Sequence, residues 1–547
     1  MPQNQNIIEE LTCELIDLVS ETNGINLNDT IELLSYSPIT KKNTLLHKQI
    51  GEFKKLLSGF HEDEVDIYTL LGHPVSEAFF RFFKEFPIKF REEHIHLTGS
   101  LSAEFIYPRL KKLVDGPNKE IYKQKITEVY GDDAWPIKSV EHVDSLIRLQ
   151  EGEQFMTYLR ILYLPKLVLV DRAAHEEAAY HMASELYNEY NVGHIRLKFT
   201  LNRLTSKASE QIPGQENITE EDVVFGLYDG FKKFQKEHGE FNFILSPSFR
   251  KEAEFYDQEN FSSKQEHFLH QVKKLLEIVE NNPELTPHLC EIDTVGDEKE
   301  LYRKKHFIEM KAGLRRLQSH GFKIRSHHGE TWKTLRKGVQ SVDNSMNIWH
   351  IDTLEHGLSL GINPNYYFHR LYQRIMEINS QEETIDPASA EFRELMDMDW
   401  KKPAVRDKII AGEKLDAKEE IEFVKSKFHT AREIEHYQHD ILNRMIDKNV
   451  SLVALPTSNI KLTNSFPDIK DHPFSWWEKK NVQLGVGTDN YITLSTNFIQ
   501  EMLILLFSDP ENLKITKLLM VVTGETRRPY ISHLLWSMKK KYKPSPK

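Results

Sequence analysis

The stretch "EEHIHLTGSLSAEF", residues 92–105, sets His94 and His96 two positions apart. Side chains at i and i+2 of an extended strand share a face, so both imidazoles converge on one point while Ile95 and Leu97 face the other way. Further along, "SHHGE" carries His327 and Glu330, "LEHG" carries His356, and "GTDN" carries Asp489. Three imidazoles and a carboxylate gathered around one point make a zinc site with room for a water. Only Cys13 and Cys290 are present, so any metal must be held by His and carboxylate. A metal of this kind lowers the pKa of its water to about 7 and makes hydroxide available at neutral pH. A hydrolase that attacks an aromatic C–N bond also needs a proton at a ring nitrogen, because the ring accepts electrons as hydroxide adds, and Glu330 is the natural donor.

These residues meet only if the runs that carry them lie side by side. "EEHIHL" is followed by "HIRLKF", "FNFILS", "LCEIDTVG", "FKIRSHHGE", "NIWHIDTLEHG", "SLVALP" and "VQLGVGTDN", with helix-length connections between them. Eight such runs predict an α/β chain with a closed parallel sheet, a (β/α)8 TIM barrel of the metal-dependent hydrolase type, in which active residues lie at the C-terminal ends of the strands. The barrel is expected over 89–547. Residues 1–88 read as an N-terminal helical extension: "IIEELTCELIDLVSE" has an apolar stripe through Ile8, Leu11, Leu15 and Leu18, and "SEAFFRFFKEFP" carries Phe79, Phe82, Phe83 and Phe86 as core or interface. Between the sixth and seventh runs, residues 361 to 449 exceed the single helix that a βα unit requires. This helical insertion, with Ile434, Tyr437, Ile441 and Met445 on one stripe, is expected to serve oligomer contact or to cover the barrel mouth.

Composition narrows the classes. The chain has 547 residues, 39% of them hydrophobic, and no apolar run long enough for a membrane span. Its acidic start lacks the basic-then-apolar order of a signal peptide, which predicts a cytoplasmic protein. A formal charge of -12 argues against a nucleic-acid duplex as partner, although a local Arg and Lys cluster can still meet a small anion. Lys198 and Arg203 follow the second run and are read as solvated surface, the alternative being that they face an anionic substrate.

From Phe86 to about Phe507 the sequence resembles the adenosine deaminase family of zinc-dependent aminohydrolases, through "FPIKFREEHIHLTGSLSAE", "IDTVGDE", "HHGE", "EHG", "LPTSN", "HPF" and "GTDN". The resemblance implies that His94, His96, His327 and Asp489 bind zinc and that His356 orients and deprotonates the attacking water. It further implies that Glu330 protonates N1 of a purine and that the backbone N–H of Gly296 meets N3. The family spacing selects His327 over His328, which is then expected behind the ligands or exposed. The zinc deaminases of the cytidine type need an HxE and a PCxxC signature, which two isolated cysteines cannot supply. Relatives of the family include bacterial antiviral components that deaminate adenine nucleotides, frequently as large assemblies, and the resemblance permits that role.

Two positions depart from the family pattern. Thr98 stands where the family usually has an Asp near the ribose 5′ position. An Asp there would accept from a 5′-hydroxyl and repel a 5′-phosphate, so Thr98 favours a nucleotide. Asn490 stands where the family usually has a second Asp, and its amide can donate to N7 of a purine without any pKa shift. The expected activity is therefore hydrolytic deamination of an adenine nucleoside or nucleotide, either adenosine and deoxyadenosine or AMP, ATP and dATP, to the inosine form with release of ammonia. The expected partners are this small-molecule purine and further copies of the chain in a homo-oligomer. The alternatives are a catalytically silent nucleotide-binding scaffold, or a metal hydrolase acting on another amide or phosphoester.

Overall fold

The computed structural model describes residues 2–22, 25–150, 152–153, 155–201, 218–462 and 469–542. Eight strands run in chain order around the molecule: β1 (Phe90–His96), β2 (Val192–Thr200), β3 (Asn242–Arg250), β4 (Glu291–Val295), β5 (Lys323–His328), β6 (Thr353–His356), β7 (Ser451–Ala454) and β8 (Leu484–Val486). Every neighbouring pair is parallel. The sheet closes just beyond β8, where the His96 N–H donates to the Asp489 carbonyl at 2.8 Å and the Asp489 N–H donates to the His94 carbonyl at 2.9 Å. The result is the (β/α)8 barrel expected from the eight runs.

Each strand contributes at least one wholly buried aliphatic residue, among them Ile95, Leu197, Leu245, Ile292, Ile324, Leu354, Leu452 and Val486. Burial of one such side chain stabilises a fold by about 1.5–3 kcal/mol. One run is shorter than its sequence suggests. Ser345–Trp349 forms a π-helical turn, and β6 starts only at Thr353. The Trp349 indole, buried with its N–H on the Phe307 carbonyl at 2.7 Å, fixes that turn before the strand begins.

Two connections are long. Residues 361 to 449 form the helices Pro364–Ser380, Ala390–Asp397, Pro403–Ile410 and Ala417–Asp447, with Ile434, Ile441 and Met445 buried. The Gln438 amide ties the last of these to the turn after β6 through the Ser359 and Ile362 carbonyls, at 2.7 and 2.9 Å. The β1–β2 connection, with helices from Ala103 to Tyr190, is comparable in length and was not expected to stand out. Among the described residues no helix is long and apolar enough to cross a membrane.

Before β1 the chain is helical. Helix Pro74–Lys84 buries Phe79, Phe82 and Phe83, and packs against helix Phe498–Ser508 near the other end of the chain. Phe90 of β1 stacks between Phe86 and Phe498, at centroid distances of 6.1 and 5.9 Å. Deletion of residues 1–88 therefore uncovers Phe507, on which Phe53 packs edge-on at 5.7 Å, and the face of helix Phe498–Ser508 that meets Pro74–Lys84. The expected outcome is an insoluble or aggregated barrel in a solubility and light-scattering assay. A monodisperse truncated chain with an intact melting transition would show that the extension is dispensable.

Candidate active site

The mouth of the barrel gathers the expected residues from four strand ends. His94 Nε2 lies 3.1 Å from His96 Nε2, which lies 3.3 Å from His327 Nε2. Asp489 Oδ1 stands 3.4 Å from His96 Nε2 and 3.7 Å from His94 Nε2. A tetrahedral site with zinc–nitrogen bonds of about 2.0 Å has edges of about 3.3 Å, so the nitrogen spacing fits such an ion. Their chemistry fits as well. Burial first, and then neighbouring cations and imidazoles, hold all three histidines well below the ordinary imidazole value, so each offers a neutral ring. Burial pushes Asp489 up to about 6, an anion that a cation would relieve.

Behind the imidazoles lie carboxylates. His94 Nδ1 donates to Glu355 Oε2 at 2.8 Å, and His327 Nδ1 donates to Asp293 Oδ1 at 3.1 Å. These bonds place the ring proton on Nδ1 and leave Nε2 bare toward the cluster. Lys198 bridges the two carboxylates from below, with its Nζ 3.0 Å from Glu355 Oε1 and 3.2 Å from Asp293 Oδ2. Against the cost of burial, Arg325 and Lys198 hold Glu355 as a carboxylate, well below the usual range. The reading of Lys198 as solvated surface is thus overturned. It is wholly buried, because in this barrel strand it shares the inward face with Arg196, which pairs with Glu93 and Glu291. Arg203 lies outside the described residues.

A second group stands beside the first. Glu330 Oε2 is 3.8 Å from His356 Nε2, and one ligand atom from each of Glu330, His356 and Asp489 lies within 4.8 Å of the others. Burial, then the Glu298 carboxylate, push Glu330 up to about 8, so it carries its proton at neutral pH. Glu298, the last residue of "IDTVGDE", also builds the turn that presents it. Its Oε1 accepts from the N–H groups of Glu330 and Thr331, at 2.6 and 2.9 Å, and its Oε2 accepts from the Gly329 N–H at 3.0 Å. No role for Glu298 was expected from sequence, although the quoted motif contained it. His356 and Asp489 both adopt left-handed backbone, with φ of 67° and 61°. That conformation costs about 1–3 kcal/mol for a residue with a side chain and is held here by the Gly357 N–H on the His328 carbonyl and by Ser458 Oγ on Asp489 Oδ2.

The substrate-side expectations fare differently. Thr98 is half-buried in the turn after β1. Gly296 follows β4 directly with φ 109°, and a Cβ there would come within 2.2 Å of the Glu252 carboxylate, so both conformation and space require glycine. Asn490 is buried, and its amide is engaged within the protein. Nδ2 donates to Asp489 Oδ1 at 2.8 Å and to the Tyr158 hydroxyl, while Oδ1 presses on Gly99, where a Cβ would come within 1.7 Å. Tyr158 comes from helix Phe155–Ile161 in the β1–β2 connection. That helix is fastened by a small apolar group of Leu149, Ile161, Leu462 and Leu494, separate from the main core. Burial, then Asp489 and Glu330, push the Tyr158 phenol well above its ordinary value. His328 is not exposed. It is wholly buried, with Nδ1 shared between Ser341 Oγ at 2.8 Å and Glu298 Oε2 at 3.2 Å, because its neighbour His327 takes the inward face.

Two outcomes follow for metal content. His94→Ala or Asp489→Ala is expected to abolish stoichiometric zinc in elemental analysis of the purified protein, whereas Thr98→Ala is expected to retain it. Lys198→Met, which leaves Glu355 and Asp293 without their shared cation, is expected to weaken zinc about 10- to 100-fold in a chelator competition. Unchanged affinity would show that the bridge serves folding alone.

No family model and no curated protein matches the chain. Solved structures similar to it include an adenine deaminase from Arthrobacter aurescens, 14% identical, covering 83% of this chain and 99% of that one with a TM-score of 0.47. An amidohydrolase with bound zinc from Burkholderia ambifaria is 13% identical over 83% of this chain and 91% of its own, with a TM-score of 0.49. The N6-methyl-AMP deaminase from Arabidopsis thaliana is 12% identical over 83% and 96%, with a TM-score of 0.45. The fold rests on the strand pairing and the chemistry on the site residues, not on this likeness.

Proposed function

We propose that the chain is a zinc-dependent aminohydrolase that deaminates an adenine nucleoside or nucleotide. The observation that carries this reading is the placement of the Glu330 carboxyl, which burial pushes up to about 8, within 3.8 Å of His356 Nε2 and beside three converging imidazoles and Asp489. His94, His96, His327 and Asp489 would hold the ion. Bound there, zinc would lower the pKa of a water to about 7 and so supply hydroxide at neutral pH.

The remaining chemistry belongs to side chains. As hydroxide adds to C6, the ring's electrons move to N1, and Glu330 supplies the proton that N1 then needs. His356 takes the proton of the attacking water at Nε2 and returns it to the departing amine. The C6–N bond breaks and ammonia leaves, the C6 hydroxyl gives up its proton, which replaces the one Glu330 gave to N1, and C6 becomes the carbonyl of the inosine form. Gly296, at the mouth end of β4, would offer its N–H to N3, and Thr98 at the rim would leave room for a 5′-phosphate where an Asp would repel it. These assignments favour AMP, ATP or their deoxy forms over the free nucleosides.

The test is ammonia release from the zinc-loaded protein offered adenosine, deoxyadenosine, AMP, dAMP, ATP and dATP side by side, with Glu330→Gln as the control. The expected result is turnover with preference for a nucleotide, and loss of at least about 1,000-fold in kcat for Glu330→Gln with zinc retained. Silence of the zinc-loaded protein across the panel would overturn the deaminase reading in favour of a silent scaffold, and unchanged kcat in Glu330→Gln would remove that residue from the chemistry.

A further inference from the structure

His356 is wholly buried, and the state of its two ring nitrogens is decided behind it rather than at the site. Its Nδ1 lies 2.8 Å from Asn459 Oδ1, and its Nε2 has no hydrogen-bond partner among the described residues. Asn459, in "LPTSN", is itself wholly buried, and its Nδ2 stands 3.2 Å from His472 Nε2, the histidine of "HPF". His472 is 7% exposed, and burial pushes its imidazole down to about 3, so the ring is neutral. Three buried polar side chains thus form one line running away from the substrate space.

An amide has one accepting end and one donating end, which makes the line directional. With its oxygen toward His356, Asn459 accepts from an Nδ1–H and leaves Nε2 as a bare lone pair. With its nitrogen toward His356, it would demand a bare Nδ1 and force the proton onto Nε2, where it could accept nothing from a water. Turning the amide therefore exchanges the tautomer of His356. The same turn would bring the amide oxygen to His472 Nε2, so amide and ring must change together, and His472 Nδ1, with no hydrogen-bond partner among the described residues, gives that ring no second hold on its proton. We infer that Asn459 and His472 are positioning residues that lock His356 in the tautomer with Nδ1 protonated and Nε2 bare. Because an amide does not titrate, the line transmits orientation and no proton. A proton collected at His356 Nε2 must then leave by Nε2, on the side of Glu330, 3.8 Å away, and of the departing amine.

The tautomer is independent of the activity, while the kinetic consequence rests on the deaminase reading above. The test uses the full-length protein with nitrogen-15 histidine and its zinc-loaded form for kinetics. The His356 resonances are identified by their loss in His356→Gln. The expected spectrum shows Nδ1 protonated and Nε2 unprotonated in the wild type, with the proton shifting toward Nε2 in Asn459→Ala and a mixture in His472→Leu. His472→Gln presents an oxygen that can accept from the Asn459 amide, and is expected to restore the wild-type tautomer. In turnover, His472→Leu is expected to lose about 10- to 100-fold in kcat with KM and zinc content unchanged, and His472→Gln to recover most of it. A wild-type His356 protonated at Nε2 overturns the inference, as does a tautomer that stays fixed in both Asn459→Ala and His472→Leu. Equal loss of kcat in His472→Leu and His472→Gln with one common tautomer overturns it too, by reducing His472 to a packing role. If the wild type deaminates nothing, the deaminase reading fails and the spectra alone decide the tautomer.

Discussion

Beneath the cluster of imidazoles sits one ammonium group, that of Lys198, with no solvent around it and a carboxylate on either side. Each carboxylate steers one histidine, so a single cation sets the aim of two rings. A buried ion pair of this kind is weak evidence for stability, because removing charges from water offsets most of what their attraction contributes. Its effect here is on direction: Glu355 is held as a carboxylate, Asp293, which burial pushes upward, keeps Lys198 within 3.2 Å, and the near nitrogens of the two imidazoles face a common point. Around this core of charge the barrel places Arg325, Arg196, Glu291 and Glu93, so that positive and negative groups alternate through the lower interior.

Above that layer, the acid and the base are also placed by residues that touch no substrate. Glu298 collects three backbone N–H groups of the turn holding Glu330, and its negative charge helps to keep Glu330 protonated. The same carboxylate thus serves geometry and protonation at once. Asp489 shows a similar economy: its backbone seals the sheet against β1 while its side chain faces the imidazoles. Its left-handed backbone is the local strain that lets one residue do both.

Much of this was legible in the sequence because period and punctuation are local. All eight strands announced themselves as short apolar or alternating runs, and the chemistry-bearing residues fell at their ends, where a barrel must put them. What escaped were properties that depend on the far side of the molecule. Lys198 looks like any lysine in an alternating strand until the barrel curves it inward onto partners from β4 and β6. His328 is equally buried, and only the alternation along β5 separates it from His327. Tyr158 lies in a connection with no signature of its own, and reaches Asn490 only through the packing of its helix. The left-handed backbone of His356 has no sequence mark, since the glycine that follows it would be the ordinary candidate.

The seam of the barrel carries a further consequence. Glu92 accepts from the N–H of Thr488, a residue 396 positions away, and from the N–H of His94. The first and last strands therefore meet at the place where two of the candidate ligands, His94 and Asp489, face each other. Contacts this remote in sequence must pay the entropy of closing the whole intervening chain, which makes them slow to form. An ion gripped across that seam would join the two ends of the sheet, acting as a clasp on the whole ring. Metal capture would then require the two ends of the sheet to have met, so a chain with an open ring could not assemble the site.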